Sequence, residues 1–222
     1  MLFRREDEEE TVVSLLAATL RRDIAFGVLS PNQKLKIEDL RRRYGGSGHS
    51  MRETLRTLTA EGLVEATAQR GFRVTSATED DLRDICLMRQ EVESVALRLS
   101  MERADLAWEG RILAARHALS RLDLAVADQA DDLTALEWDE SCRAFSAALC
   151  SACGSPRLID LQRKFFDQGR RFRLALLREG RIDFAAREDR QAQLVSAILA
   201  RDTDLALHCL REDLTIEMTG GS

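Results

Sequence analysis

A mainly α-helical protein in two parts, a small three-helix head closed by a β-hairpin and a larger all-helical body, is predicted by three observations on the 222-residue chain. Apolar residues recur at steps of three and four through nearly every long segment, the period of an amphipathic helix. Only 2 prolines occur, so long helices are left unbroken. One short stretch, Leu63 to Val74, abandons that period and reads as extended chain.

Taken in order, Val12, Leu15, Leu16, Thr19, Leu20 and Ile24 predict a first helix from Thr11 to Phe26, which Gly27 closes. Pro31-Asn32 is a turn. Ile37 to Tyr44 is a short helix with Ile37, Leu40 and the Tyr44 ring inward, and Gly45-Gly46 breaks it. A third helix starts near His49, with Met51, Leu55 and Leu58 on one face and Arg52, Glu53 and Arg56 on the other, and stops at Gly62. Leu63-Val64-Glu65-Ala66, the turn Gln69-Arg70-Gly71 and the alternating Phe72-Arg73-Val74 make a two-stranded hairpin. Helix, helix, glycine turn, helix, hairpin is the order of a winged helix-turn-helix, assigned to residues 9–76.

Residues 79–219 form the all-α bundle, with helices from Glu79 to Arg103, Glu109 to Ala127, Asp131 to Cys150, Ser155 to Leu177, Phe184 to Ala200 and Thr203 to Met218. Thr78-Glu79-Asp80-Asp81 and Asp202-Thr203-Asp204 place acceptors and negative charge at two of these starts, where unpaired N–H groups and the helix dipole need them.

Charge divides along the same boundary. Residues 11–77 carry 11 Lys and Arg against 6 Asp and Glu, a net +5, whereas residues 78–222 carry 20 against 27, a net −7. A basic head on an acidic body favours a polyanionic partner for the head. Glu6-Asp7-Glu8-Glu9-Glu10 is expected to be a solvated tail, and no apolar run is long enough to span a membrane. The five cysteines are odd in number and stand among helix-forming apolar neighbours, as reduced thiols in the cytoplasm do. The three histidines, His49, His117 and His208, lie in separate segments with no cysteine beside one in a recognised motif, which argues against hydrolase or thiol-enzyme chemistry. Cys150 and Cys153 make a lone C-x-x-C with no second pair to complete a zinc site.

A helix-turn-helix reads sequence by laying its second helix in the major groove, where side chains near the helix start meet base edges. Those side chains here are Ser47, His49, Ser50 and Arg52, with Arg70 and Gly71 at the wing tip placed for the minor groove. For the arginines taken alone, Arg41-Arg42-Arg43, Arg52 and Arg56, a solvated helical face is the simpler account. The order of the elements turns that reading toward DNA.

Four stretches, Leu29-Ser30-Pro31-Asn32-Gln33-Lys34-Leu35, Ser47-Gly48-His49-Ser50-Met51-Arg52-Glu53-Thr54-Leu55, Leu58-Thr59-Ala60-Glu61-Gly62-Leu63-Val64 and Gln69-Arg70-Gly71-Phe72-Arg73-Val74, resemble the signatures of the GntR family of bacterial transcription regulators. Asp81-Leu82 through Arg89 to Glu93, and Phe145 through Gly154-Ser155-Pro156 to Leu158, are similar to the FadR-type C-terminal domain of that family. The resemblance spans about Thr11 to Met218. Two departures stand in the head, where Gly48 replaces the family's arginine and Ser50 its proline.

The resemblance implies a transcriptional repressor, not an enzyme, that binds a palindromic operator as a homodimer, with a small-molecule effector, a carboxylate in many relatives, bound among the body helices. Many FadR-type domains hold a divalent metal there with one Asp and three His. The matching positions in this chain are Cys142, Ser146, Gln191 and Asp213, so neither a metal nor any other cofactor is expected. These four residues and Arg89 are the candidate effector contacts. Arg89, four residues before Glu93, is placed to meet a ligand carboxylate or to bridge to Glu93, and one of Arg170, Arg171 and Arg173 to line the same space. A packed or water-filled core at the same place is the plain alternative. Two rival functions remain from the sequence alone: a DNA-binding regulator of this fold without effector control, and a helical enzyme or interaction scaffold.

Overall fold

The head is built around α1 (Leu2–Ala25), whose Leu16, Ala17, Leu20 and Ile24 are buried. The helix begins further back than its apolar stripe predicts and takes in the acidic run. Leu15, counted in that stripe, is 64% exposed, because the buried strip follows Leu16, Leu20 and Ile24. After α1 come β1 (Lys34–Leu35), α2 (Ile37–Tyr44), α3 (Gly48–Ala60), β2 (Val64–Thr67) and β3 (Gly71–Val74). The computed structural model describes residues 2–67, 71–128 and 131–219.

The wing differs from the predicted hairpin in having three strands, in the order β1-β3-β2, all antiparallel. Lys34 pairs with Arg73 and Leu35 with Phe72, so β1 exists only because β3 lies beside it. Two residues carry no alternation to read, and this strand is defined by tertiary pairing rather than propensity. Leu20, Leu29, Met51, Leu55 and Leu58, each almost wholly inaccessible, form the head's core with Leu35, Leu40, Val64 and Val74. Arg21 clamps Glu61 with two 2.7 Å hydrogen bonds and fixes α1 against the end of α3.

The body consists of α4 (Glu79–Glu102), α5 (Leu106–Asp128), α6 (Asp132–Cys150), α7 (Pro156–Arg178), α8 (Phe184–Leu199) and α9 (Thr203–Thr219). The helix starts follow the polar residues that precede them. Thr78 Oγ1 accepts from Asp81 N while Asp81 Oδ2 accepts from Thr78 N, and Asp131, Ser155, Asp183 and Asp202 each accept one amide of their helix's first turn. α5 packs along α6 and meets α8; α6 also meets α7, and α8 meets α9, which in turn meets α7. Trp108 and Trp138 are fully buried, and each satisfies its indole N–H, the first on Ala148 O at 3.0 Å and the second on Asp123 Oδ1 at 2.7 Å. All five cysteines are free thiols. No helix among the described residues is long and apolar enough to cross a membrane. The chain divides into two compact units, Met1–Asp81 and Leu82–Ser222.

Candidate functional site

In the head, the turn between α2 and α3 needs two consecutive residues with positive φ, and Gly45 (φ 80) and Gly46 (φ 81) supply them. At Gly46 a side chain would also come within 3.0 Å of Leu16 Cδ1 and 3.2 Å of Ser50 Oγ, so the turn admits no Cβ there. Ser47 then caps α3. Its hydroxyl accepts from Ser50 N at 3.0 Å, and Ser50 Oγ accepts from Ser47 N at 2.9 Å. This closes a capping box.

That box corrects one sequence expectation. Ser50, read as a base-edge or phosphate contact, is 2% exposed, and its hydroxyl is engaged by Ser47. It stands where the family has proline, and it shapes the start of the helix rather than facing outward. Ser47, His49 and Arg52 are exposed on the first turns of α3, and Arg56 follows one turn on. Arg56 is tied to Glu53 at 2.5 Å, whereas Arg52 has no ion pair among the described residues. On α2, Arg41 pairs with Glu38 and Arg42 with Asp39, all exposed. Gly71 is exposed with φ 84 at the start of β3, and Arg70 lies outside the described residues.

α2 is anchored by its last residue. The Tyr44 hydroxyl donates to Asp23 Oδ2 at 2.6 Å, and partial burial together with that hydrogen bond pushes the phenol up to about 12. Arg43 lies 5.1 Å from the Tyr44 ring centre and 3.6 Å from Asp23, so phenol, carboxylate and guanidinium make one small network.

In the body, Arg89, Cys142, Ser146, Gln191 and Asp213 all come to the wall of one cavity, joined by Glu93, Phe166, Arg187 and Glu217. The space open to the centre of a water molecule is only about 20 Å³. That admits roughly one ordered water. Much of the polar wall is hydrogen-bonded. Arg89 Nε donates to Glu93 Oε1 at 2.7 Å, and both side chains are 1% exposed. Ser146 Oγ donates to Glu93 Oε2 at 2.7 Å and accepts from Gln162 Nε2 at the same distance. Arg173, fully buried behind the wall, donates twice to Asp139 Oδ1 at 3.0 and 2.7 Å, while Arg170 Nε donates to Asp139 Oδ2 at 2.5 Å. Two guanidiniums lie over the Phe166 ring, Arg89 at 4.8 Å and Arg173 at 3.7 Å from its centre.

The four positions that carry metal ligands in many relatives do not fit a divalent ion here. Cys142 Sγ accepts from Arg187 Nη2 at 3.2 Å, and burial pushes its thiol well up, against the thiolate that a metal needs. Ser146 is consumed by Glu93 and Gln162. Asp213 pairs with Arg190 at 3.1 Å, and burial raises its carboxyl although Arg187 and Arg190 pull the other way. The Arg187 guanidinium, 3% exposed, puts a fixed positive charge beside these residues, also 3.4 Å from Asp123. Among the described residues no three of His, Cys, Asp and Glu converge as a metal site.

Sequence reasoning missed Arg187, Glu217, Asp139 and Gln162. Arg187 precedes Gln191 by four residues and Glu217 follows Asp213 by four, so each sits one helical turn along the same inward face. That spacing is the signal that was available. Glu217 lies 3.5 Å from Arg89 Nη1 and 3.4 Å from Arg173 Nε. Burial works against its charge, but Arg89, Arg173 and Arg187 outweigh it and hold the carboxyl below the usual range. Gln191 Oε1 is buried with no hydrogen-bond partner among the described residues.

Comparison with known proteins agrees over nearly the whole chain. Residues 14–74 match the family described as bacterial regulatory proteins, gntR family, and residues 84–215 match the FCD domain. The chain is similar to the HTH-type transcriptional repressor GlaR of Escherichia coli, 35% identical over 88% of this chain and 89% of that one. It is 38% identical to the uncharacterized HTH-type transcriptional regulator BphR of Paraburkholderia xenovorans, over 90% of this chain and 82% of the other. Among solved structures, E. coli McbR/YncC superposes with a TM-score of 0.69 at 20% identity, covering 92% of this chain and 93% of that one. At that identity the likeness speaks for the fold.

Proposed function

This chain belongs to the GntR family of bacterial regulatory proteins and carries an FCD domain, which makes it a transcription regulator and not an enzyme; we propose that it represses transcription in the cytoplasm as a homodimer on a palindromic operator. The observation that carries the reading is the outer face of α3, where Ser47, His49 and Arg52 are exposed on a helix start that Ser50 rigidifies. Arg52 is the base-reading side chain, bidentate toward guanine, and His49 donates beside it where Gly48 has removed the usual arginine. Ser47 and Arg56 meet phosphates, and Arg70 with Gly71 enters the minor groove. A mobility-shift titration of Arg52→Ala on a footprinted operator tests this: unchanged affinity and salt slope would exclude Arg52 from the interface.

The body responds to a small carboxylate held by Arg89, Ser146 and Gln191, with Cys142 and Asp213 completing the wall. Binding shifts how the heads are held and changes operator affinity by a coupling of about 1–3 kcal/mol. No step requires a metal, and elemental analysis of protein purified without chelator should find less than one ion per chain. A second reading, the same regulator without effector control, is favoured by the small volume of the cavity. A thermal-shift screen of small acids separates the two, since a specific ligand raises the melting midpoint and an unresponsive domain shows none.

A further inference from the structure

The effector cavity contains a carboxylate of the protein's own. The Arg89 and Arg173 guanidiniums both lie over the Phe166 ring, and Glu217 from the last turn of α9, its side chain only 8% exposed, lies against both of them. Its partners are imperfect. At 3.5 and 3.4 Å both contacts exceed hydrogen-bond length, and Glu217 Oε1 has no hydrogen bond among the described residues. Arg89 Nη1 is directed instead at Met218 Sδ, 3.7 Å away, a weak acceptor for a charged donor. Glu93 holds Arg89 at Nε, and Asp139 already takes the Nε and Nη2 hydrogens of Arg173, so the Nε that faces Glu217 is shared.

We infer that Glu217 is an internal stand-in for the effector: it fills the anion position beside Arg89 in the cavity wall, and a small carboxylate binds by exchange with it. The inference rests on the effector reading above and gives that site its entry step. Electrostatics demands the exchange. The buried arginines are already balanced by Glu93, Asp139 and Glu217, so a second carboxylate added beside Glu217 would place two like charges in a dry cavity. Geometry demands it as well, because room for about one water does not hold a carboxylate with Glu217 in place. Glu217 lies in the last three residues of α9, so its departure requires only the helix end to give way. The close approach of that end is itself arranged: at Gly169 on α7 a Cβ would stand 2.8 Å from Arg173 Nη1 and 3.1 Å from Met218 Cε. Effector binding therefore releases the end of α9 from the arginines, and that displaced segment is the element through which occupancy is felt.

The test uses the full-length protein with Glu217→Ala, which empties the position, and Glu217→Gln, which keeps its shape without its charge. Melting temperatures are followed against sodium acetate and sodium formate, with sodium chloride at equal ionic strength as control. Each variant should gain melting temperature with acetate or formate but not with chloride, saturating at a concentration about ten-fold or more below any effect on the wild type. If the alanine variant does not fold, the glutamine variant carries the same readout. A folded Glu217 variant whose melting temperature follows ionic strength alone overturns the exchange. Operator affinity measured on the same samples separates this from effector control. Variants that bind acetate, beside a wild type whose operator affinity ignores every carboxylate tried, keep the exchange and overturn the effector reading. A wild type whose operator affinity responds to a carboxylate, with variants that ignore acetate, does the reverse.

Discussion

Arginine does opposite work in the two halves of this protein. On the head, Arg41, Arg42, Arg52 and Arg56 are exposed, and the ion pairs of Arg41, Arg42 and Arg56 with neighbours three residues away are the weak, salt-screened kind. Their field reaches outward, where a polyanion can feel it. In the body, Arg89, Arg173 and Arg187 are all but inaccessible, and each lies against carboxylates from other helices or the next turn. Such charges cannot be left alone, because an unpaired buried ion costs several kcal/mol. The exposed arginines of the head can serve affinity for a partner, and the buried arginines of the body hold internal acids in place. The same side chain is dispensable for folding in one unit and indispensable in the other.

That contrast is most sharply broken at Asp139. Asp139→Ala strips the fully buried Arg173 of its carboxylate and should cost about 3–5 kcal/mol in urea unfolding of the body, with the exposed face of the head untouched. Arg52→Ala is the counterpart. It should leave the unfolding midpoint within about 0.5 kcal/mol of wild type while weakening operator binding by about 1–3 kcal/mol in a mobility shift. Next comes Gly169→Ala. Helix propensity favours alanine by about 1 kcal/mol. Against that, the added methyl meets Arg173, which Asp139 and the Phe166 carbonyl hold on both sides, at a cost of about 1–3 kcal/mol. A small net loss of melting temperature is therefore expected, and a gain would show that Arg173 yields. The smallest effect is Tyr44→Phe, about 1 kcal/mol for the lost hydrogen bond to Asp23. The Tyr44 phenol is raised from 10.0 to about 12, so its contribution is fully present below pH 10 and fades as pH rises through 12. Wild type and variant should accordingly converge in stability at the alkaline end of a pH series.

Most of the fold is legible in the sequence because it is helical and local. Glu79, Phe184 and Thr203 begin helices where their caps say they should, and the glycine turn before α3 is evident from Gly45-Gly46. β1 is not legible, since Lys34–Leu35 becomes a strand only by pairing with residues almost 40 positions on. The cavity was half visible. Arg89, Cys142, Ser146, Gln191 and Asp213 could be placed by resemblance, and they share one wall. What governs its electrostatics, Arg173 on Asp139 and Arg187 against Cys142, joins separate helices across 34 and 45 residues of chain. No local pattern encodes such a pairing, and a lone buried arginine looks the same in sequence as a solvated one. Ser50 shows the reverse error: a polar residue at a helix start invites a partner outside, and here its partner is the backbone three residues earlier.

The capping box at the head of α3 has a further consequence for how such a regulator acquires new targets. Because Ser47 and Ser50 secure the first turn between themselves, and Met51, Thr54, Leu55 and Leu58 anchor the inner side, positions 49, 52 and 56 contribute little to whether the helix forms. They can be exchanged as a set without unfolding the scaffold. The module is thus permissive to retargeting, and a library varied at those three positions alone should yield folded proteins that differ in which DNA they select.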